Sequence, residues 1–410
     1  MRLAITSNGP GELAGWVRPL ARALERLQPA TELSLFFVPD DYATGREPEI
    51  AHALFPAARI VAPREYVRFA LGHSVPDAPQ RADVVQYLGG DLMHAARVHA
   101  RLGGVACTYK FSRPRYARTF ARAFALDERN VAELERCGTP RERIALVGNL
   151  AVDGALAEVA GPISGASGDG ELAPGGVLFM PGTRRHEIAN LIPFFLAVAL
   201  RLARLRPELP VGFGLSPFTS DAELERALEA GGHPKVWGAR GRLAGANGGV
   251  AIEDCDGRVR LPIVHDALRH AVEATLVVTI PGTKCIELAA LGVPAIVCVP
   301  LNAPEVAVIN GPLQYIGRLP VAGTLLKRAA ALQVESRFPL AAQPNIDAGE
   351  QLMPELRGTL TPGYVAERIA AYANDDGARA AASLRLRELY VAHAGAAERM
   401  ARSLLEAGGG

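Results

Sequence analysis

Short apolar runs alternate with stretches of helical spacing along most of the chain. In the first part the runs fall at residues 3–6, 33–38, 59–62, 84–88, 105–109 and 144–147. Strand and helix in alternation predict a parallel sheet covered on both faces. The pattern stops at residues 161–176, GPISGASGDGELAPGG, which offers few groups to bury and reads as a linker or exposed loop. It resumes at 176–180, 211–215, 275–280 and 295–299, so two similar α/β domains are expected. The boundaries that follow are 1–160 for the first domain, 161–175 for the linker and 176–361 for the second. Residues 362–410 then form C-terminal helices, amphipathic and free to pack back on the first domain. Residues 238–249 are rich in glycine, and beyond them two apolar runs flank Asp254-Cys-Asp-Gly257, a hairpin signal within an insertion.

Composition narrows the classes. The 410 residues, 49% apolar and 21% charged, suit a folded chain of two or three domains. The 44 basic and 43 acidic side chains leave a net charge of +1, which removes the general attraction that nucleic-acid binding draws on. An anionic ligand must therefore be gripped by local groups. Five scattered cysteines without a C-x-x-C pair suggest neither a disulfide framework nor a zinc knuckle, and a reducing cytoplasm is expected. The N-terminus turns polar after one short apolar run, as a first strand does and a secretory leader does not. The longest apolar stretch, 191–205, is interrupted by Pro193, Arg201 and Arg204, and no membrane span is expected.

Two similar segments carry the sharpest chemical signal. A strand runs into Pro181-Gly182-Thr183-Arg184-Arg185, and another into Pro281-Gly282-Thr283-Lys284. Free N–H groups at a helix start, with a cation beside them, make an anion site, and two such turns could hold a diphosphate between them. Each is also what an ordinary strand-to-helix turn looks like, with a proline stop and a threonine cap. Glu287 lies one turn into the second helix, where it could accept from a ribose diol or simply favour the dipole; Glu187 holds the parallel position and reads as structural. After the first strand, Ser7-Asn-Gly-Pro-Gly11-Glu12-Leu-Ala-Gly15 lets a ligand approach the backbone, with Glu12 as an acid in a glycine-lined turn or a solvated first-turn residue. It is not the G-x-G-x-x-G of dinucleotide sites. In Tyr87-Leu-Gly-Gly-Asp91-Leu-Met-His94, Asp91 stands just past a strand end, and with His94 could act as a base and its neighbour; the competing role is a cap on the helix over 92–102. The histidine pairs 94/99 and 265/270 are five apart, off the spacing that places two imidazoles on one helix face, so no metal is expected. No G-x-S-x-G elbow occurs either.

These segments resemble the lipid-A-disaccharide synthase family, inverting glycosyltransferases. Its P-G-S-R-x-x-E stands here as Pro181-Gly-Thr-Arg-Arg-His-Glu187, its S-G-T-A-x-L-E as Pro281-Gly-Thr-Lys-Cys-Ile-Glu287, and its P-N-x-x-A-G-x-x-L-x-P-E-L as Pro344-Asn345-Ile-Asp-Ala-Gly-Glu-Gln351-Leu-Met-Pro-Glu-Leu356. In the first half, Gly11-Glu-Leu-Ala-Gly15 is similar to G-E-A-S-G-D, and Gly148-Asn-Leu-Ala-Val-Asp153 to G-H-x-x-x-D. The family's D-A-P-D-F-N appears as Asp91-Leu-Met-His-Ala-Ala96, and its W-A-W segment as Thr108-Tyr-Lys-Phe-Ser-Arg113, both departures in the acceptor region.

The resemblance implies a GT-B fold, two Rossmann-like domains with parallel sheets facing across a cleft. It implies a UDP-sugar donor, an acylated glucosamine in the family, and a lipid-linked sugar acceptor, with no metal or other cofactor. Asp91 would be the base with Glu12 in reserve, and His94 beside them. Gly11 would let substrate approach, and Gly182, Thr183, Arg184, Gly282, Thr283 and Lys284 would hold the diphosphate. Glu287 would hold ribose, and Asn345 with Gln351 would line the donor pocket. A lipid substrate also implies peripheral contact with the inner face of the cytoplasmic membrane. Residues 66–71, after Arg64, are the candidate contact or else a short buried helix. A homodimer stays open. The rival readings are a UDP-sugar enzyme with another acceptor, a 2-epimerase, and a nucleotide-sugar-binding protein without turnover.

Overall fold

The structure, a computed structural model, describes residues 1–40, 43–161, 172–246, 249–302 and 339–409. Most of the expected linker lies outside these residues. The chain divides into two compact units, Met1–Ala160 with Tyr390–Gly410, and Gly161–Leu389.

The first unit is built on seven parallel strands: β1 (Arg2–Ser7), β2 (Glu32–Phe37), β3 (Arg59–Val61), β4 (Val84–Tyr87), β5 (Val105–Tyr109), β6 (Arg122–Ala125) and β7 (Ile144–Leu146). Their order is β3-β2-β1-β4-β5-β6-β7. The chain starts at β1, winds outward to β3, then crosses back to β4 on the other side of β1. Between β1 and β4 the winding reverses, which parts the loops at the carboxyl ends of these two strands and makes a ligand crevice there. Strand β6 was not foreseen: Arg-Ala-Phe-Ala has one bulky apolar residue, yet Ala123, Phe124 and Ala125 are all buried.

Helix Ala396–Gly408 packs on helix Arg18–Leu27, so the end of the tail belongs to the first unit, whereas helix Pro362–Ala373 packs on Arg185–Leu205 in the second. The tail is thus shared between the units rather than being one appendage over 362–410. Asp153 anchors its end, accepting from the N–H groups of Gly395 at 2.7 Å and Ala397 at 2.6 Å. The aspartate of the Gly148–Asp153 segment is therefore a helix cap. Removing such a cap costs about 1–2 kcal/mol. Asp153→Ala should lower the unfolding midpoint of the first unit accordingly, as read by thermal denaturation, and an unchanged midpoint would contradict the capping role.

The second unit carries β8 (Val177–Met180), β9 (Val211–Gly214), β10 (Gly241–Ala246), β11 (Gly249–Asp254), β12 (Arg260–Val264), β13 (Leu276–Thr279), β14 (Ala295–Pro300) and β15 (Glu355–Gly358). They lie in the order β10-β11-β12-β9-β8-β13-β14-β15. From β12 to β15 the pairing is parallel; β10, β11 and β12 pair antiparallel at one edge. The expected hairpin around Asp254–Gly257 is present as β11 and β12, but the glycine-rich stretch before it is strand β10, an extension of the sheet rather than a loose insertion. Among the parallel strands the winding again reverses beside the first one, here between β8 and β13. Helix Arg185–Leu205 is long and apolar enough to cross a membrane by length and composition. Its apolar side is core: Ile192, Phe195, Leu196 and Leu202 are fully buried, with Phe179 and Phe213 of the sheet stacked nearby.

Candidate active site

Strands β8 and β13 are neighbours, with Thr279 level with Met180 and its hydroxyl donating to the Met180 carbonyl at 3.0 Å. The two Pro-Gly-Thr turns therefore leave the sheet side by side. This is the juxtaposition that diphosphate binding requires.

They are not equivalent, however. At the first turn the N–H groups of Thr183 and Arg184 both donate to Glu187 Oε2 at 3.0 Å, and the Arg184 guanidinium donates to Glu187 Oε1 at 3.1 Å. Glu187 is 8% exposed, so the protein fills its own anion site here. The expectation of free N–H groups at Gly182–Thr183 is corrected at Thr183 by this capping carboxylate, although the Arg184 side chain remains 44% exposed. Gly182, at φ +97°, is required because a Cβ would collide with Glu187.

The second turn is open. Helix Thr283–Leu291 starts after Gly282, and among the described residues the N–H groups of Gly282 and Thr283 have no protein partner. A Cβ on Gly282 would meet nothing within 4 Å. Lys284 stands beside them, its Nζ 2.5 Å from Glu287 Oε2. Glu287 is buried and held by that lysine, so it does not stand ready for a ribose in this state.

Asn345 has a different role from the expected one. It is fully buried; its amide donates to Met353 O at 2.7 Å and Glu355 Oε1 at 2.9 Å, and its oxygen accepts from Met353 N at 2.8 Å. Buried and bonded at both ends of its amide, it fastens a loop instead of lining a pocket. Gln351 is exposed, its oxygen 3.5 Å from the Glu355 N–H. The residue at the centre of this knot is Glu355, which also accepts from the N–H groups of Ala341 and Ala342 and from Arg357. Burial alone would raise its pKa, but those N–H groups, the Asn345 amide and Arg357 outweigh it and hold the carboxyl below its ordinary value. Glu355 is the penultimate residue of the quoted motif, and no local pattern marks it out.

In the first unit the crevice between β1 and β4 gathers acids. Glu12 and Gly11 lie in the first turn of a helix, Pro10–Glu12, that continues through a π-helical turn, Leu13–Val17, into Arg18–Leu27. Such π turns occur frequently at functional sites. Asp91 caps helix Leu92–Leu102, accepting from Met93 N at 2.8 Å, and lies 3.5 Å from Arg113 and 3.7 Å from Arg115. His94 is half-buried, its Nδ1 2.7 Å from the Tyr66 hydroxyl. Burial pushes its pKa down, while Asp91 and Asp40 pull the other way. Tyr87, which donates to Gly90 O at 2.8 Å, has its pKa raised first by burial and then by Glu12, Asp91 and Asp40, so these three carboxylates converge around it. Sequence reasoning missed Asn8, Asp40, Arg113 and Arg115; only the fold brings them to Glu12 and Asp91. Among the described residues no group of three His, Cys, Asp or Glu side chains is placed to hold a metal ion.

The stretch expected at a membrane surface is half core. Tyr66 and Phe69 are 2% and 3% exposed within helix Pro63–Ala70, whereas Val67 and Leu71 face outward.

The sequence matches no protein-family model and no curated protein. Solved structures do share its fold. A Listeria monocytogenes candidate UDP-N-acetylglucosamine 2-epimerase superposes with a TM-score of 0.58 at 13% identity, over 99% of this chain and 96% of its own. The UDP-GlcNAc 2-epimerase of Methanocaldococcus jannaschii, in complex with UDP-GlcNAc and UDP, gives 0.55 at 14% identity, over 99% and 100%. The glycosyltransferase of kitacinnamycin gives 0.52 at 14%, over 99% and 98%. The likeness spans both units and defines the class: the chain has the GT-B fold.

Proposed function

We propose that the chain is a UDP-sugar-dependent enzyme that moves a sugar from the nucleotide to an acceptor hydroxyl. The observation that carries this reading is the open helix start at Gly282–Thr283, with Lys284 on it and Arg184 at the neighbouring strand end. That set suits a diphosphate: two N–H donors on the positive end of a helix and two cations. Structural relatives solved with UDP-GlcNAc support the same ligand class.

The acceptor oxygen attacks C1, the C1–O bond to the diphosphate breaks with its electron pair leaving on the phosphate oxygen, and a carboxylate takes the acceptor's proton. Asp91, just past the end of β4, is the first candidate for that base, with Glu12 in reserve and Arg113 and Arg115 holding Asp91 in place. Charge developing on the leaving group is met by the second-unit donors, each worth about 3 kcal/mol of barrier in comparable sites. The motif resemblance favours acylated glucosamine on both substrates.

A second reading, 2-epimerisation, is favoured by the epimerases among the structural relatives. Incubation with UDP-N-acetylglucosamine and extracted lipids, followed by mass spectrometry and NMR, separates them. Release of UDP with a new glycolipid is the expected result. A C2 epimer would replace it by the second reading, and tight binding without product would refute both.

A further inference from the structure

Glu187 and Glu287 stand four residues after Thr183 and Thr283, at the same place in the two Pro-Gly-Thr segments, yet they are held differently. Glu187 accepts from two backbone N–H groups and from Arg184, the bonding of a cap fixed in the fold. Glu287 accepts from no backbone N–H among the described residues. Its polar partner there is the Lys284 ammonium, 2.5 Å from Oε2, on a side chain 36% exposed. The motif that this segment resembles has alanine at that position, so the pair is no part of it.

Lys284 is the second residue of its helix, and its ammonium rides on a long flexible stem beside the open N–H groups of Gly282 and Thr283. A diphosphate seated on those groups carries more charge than one carboxylate and competes with Glu287 for the lysine. Once the lysine leaves, the carboxylate is a buried charge without a donor, an unfavourable state. A ligand that brings donors of its own relieves it. The ribose of a nucleoside diphosphate hangs from the same phosphate and carries two adjacent hydroxyls, which match the two oxygens of a carboxylate. Free pyrophosphate has no sugar hydroxyls to offer.

We propose that Lys284 is a transferable counter-ion: it neutralises Glu287 in the free protein and passes to the diphosphate on binding, whereupon Glu287 accepts from the ribose hydroxyls. This rests on the sugar-nucleotide reading. Recognition of the diphosphate and of the ribose is thereby one event. Glu287 is then a specificity-determining residue, and Lys284 couples it to the phosphates. Such a site selects ribonucleoside diphosphates over their 2′-deoxy analogues, because the buried carboxylate is left short of a donor when a hydroxyl is missing.

The experiment titrates the full chain calorimetrically with UDP, 2′-deoxy-UDP and pyrophosphate, as wild type, Glu287→Gln and Lys284→Ala. Wild type should bind UDP about tenfold or more tightly than 2′-deoxy-UDP. Glu287→Gln releases the lysine, so it should bind pyrophosphate about tenfold more tightly than wild type does, yet UDP no better. Loss of a negative charge near the site would by itself strengthen both ligands, and the split between them marks the exchange. Lys284→Ala should lose about tenfold in UDP affinity and keep the preference for ribose, which comes from Glu287. A wild type that binds both nucleotides alike, a Glu287→Gln chain in which UDP and pyrophosphate gain equally, or a Lys284→Ala chain without the ribose preference would each overturn the proposal. Should Lys284→Ala not fold, wild type and the isosteric Glu287→Gln decide alone. UDP that fails to bind wild type sinks the sugar-nucleotide reading and this proposal with it, whereas UDP that binds without a ribose preference sinks the exchange only.

Discussion

Glu355→Ala is expected to lower the unfolding free energy of the second unit by about 3–5 kcal/mol, the range for breaking a buried charged pair. The carboxylate is fully buried and receives the N–H groups of Ala341 and Ala342, the Asn345 amide and the Arg357 guanidinium, the latter at 3.0 Å. Its loss removes the acceptor of the Ala341 and Ala342 N–H groups, one of the two acceptors of the Asn345 amide, and the carboxylate paired with Arg357, itself only 18% exposed. Denaturant unfolding at neutral pH measures the difference. The same carboxyl gives the unit an acid sensitivity of defined sign. Its pKa is lower folded than unfolded, so its stabilising contribution is complete above about pH 4.3, the free value, and disappears as the pH falls through the depressed folded value. Wild type should therefore lose stability on acidification more steeply than Glu355→Gln. Equal acid sensitivity of the two, or a neutral-pH loss below about 1 kcal/mol for the alanine variant, would mean the knot is not held by charge.

That knot shows where reading the sequence stops. Asn345 looked like a pocket residue because its motif is known for one, but its partners, Met353 and Glu355, lie across a turn whose closure no local pattern announces. Strands built on Val, Ile, Leu and Phe were legible, since such runs fit a sheet buried on both faces. Arg122–Ala125, Gly241–Ala246 and Glu355–Gly358 were not: small or charged residues fill them, and tertiary packing decides their state. The candidate site divides the same way. Helix starts after β8 and β13 were visible from proline, glycine and threonine, and Glu187 three residues after Arg184 is the spacing of a carboxylate that reaches back to cap. Adjacency of the two turns was a hypothesis until strand order supplied it. In the first unit, Asp40 and Asn8 come from the ends of different strands, and their pairing follows from the β2-β1-β4 order alone.

Thr283→Pro should weaken UDP binding by about ten- to a hundredfold while leaving the fold intact. Thr283 is the first residue of its helix, where proline is favoured because the missing N–H has no helical partner and the ring suits the backbone. Gly282 before it is extended, at φ 164° and ψ −173°, and residues preceding proline favour extended backbone. The substitution therefore deletes one donor aimed at the proposed diphosphate and little else. A hydrogen bond to a charged group contributes about 1.5–3 kcal/mol, which is the stated range of affinity. Arg184→Ala tests the rim cation, but it also removes a partner of Glu187, so its thermal midpoint has to be followed alongside; the proline variant is free of that ambiguity. Isothermal titration with UDP reads both. If Thr283→Pro binds UDP as the wild type does and melts at the same temperature, the open helix start is not the diphosphate site, and the sugar-nucleotide reading loses the observation that carries it.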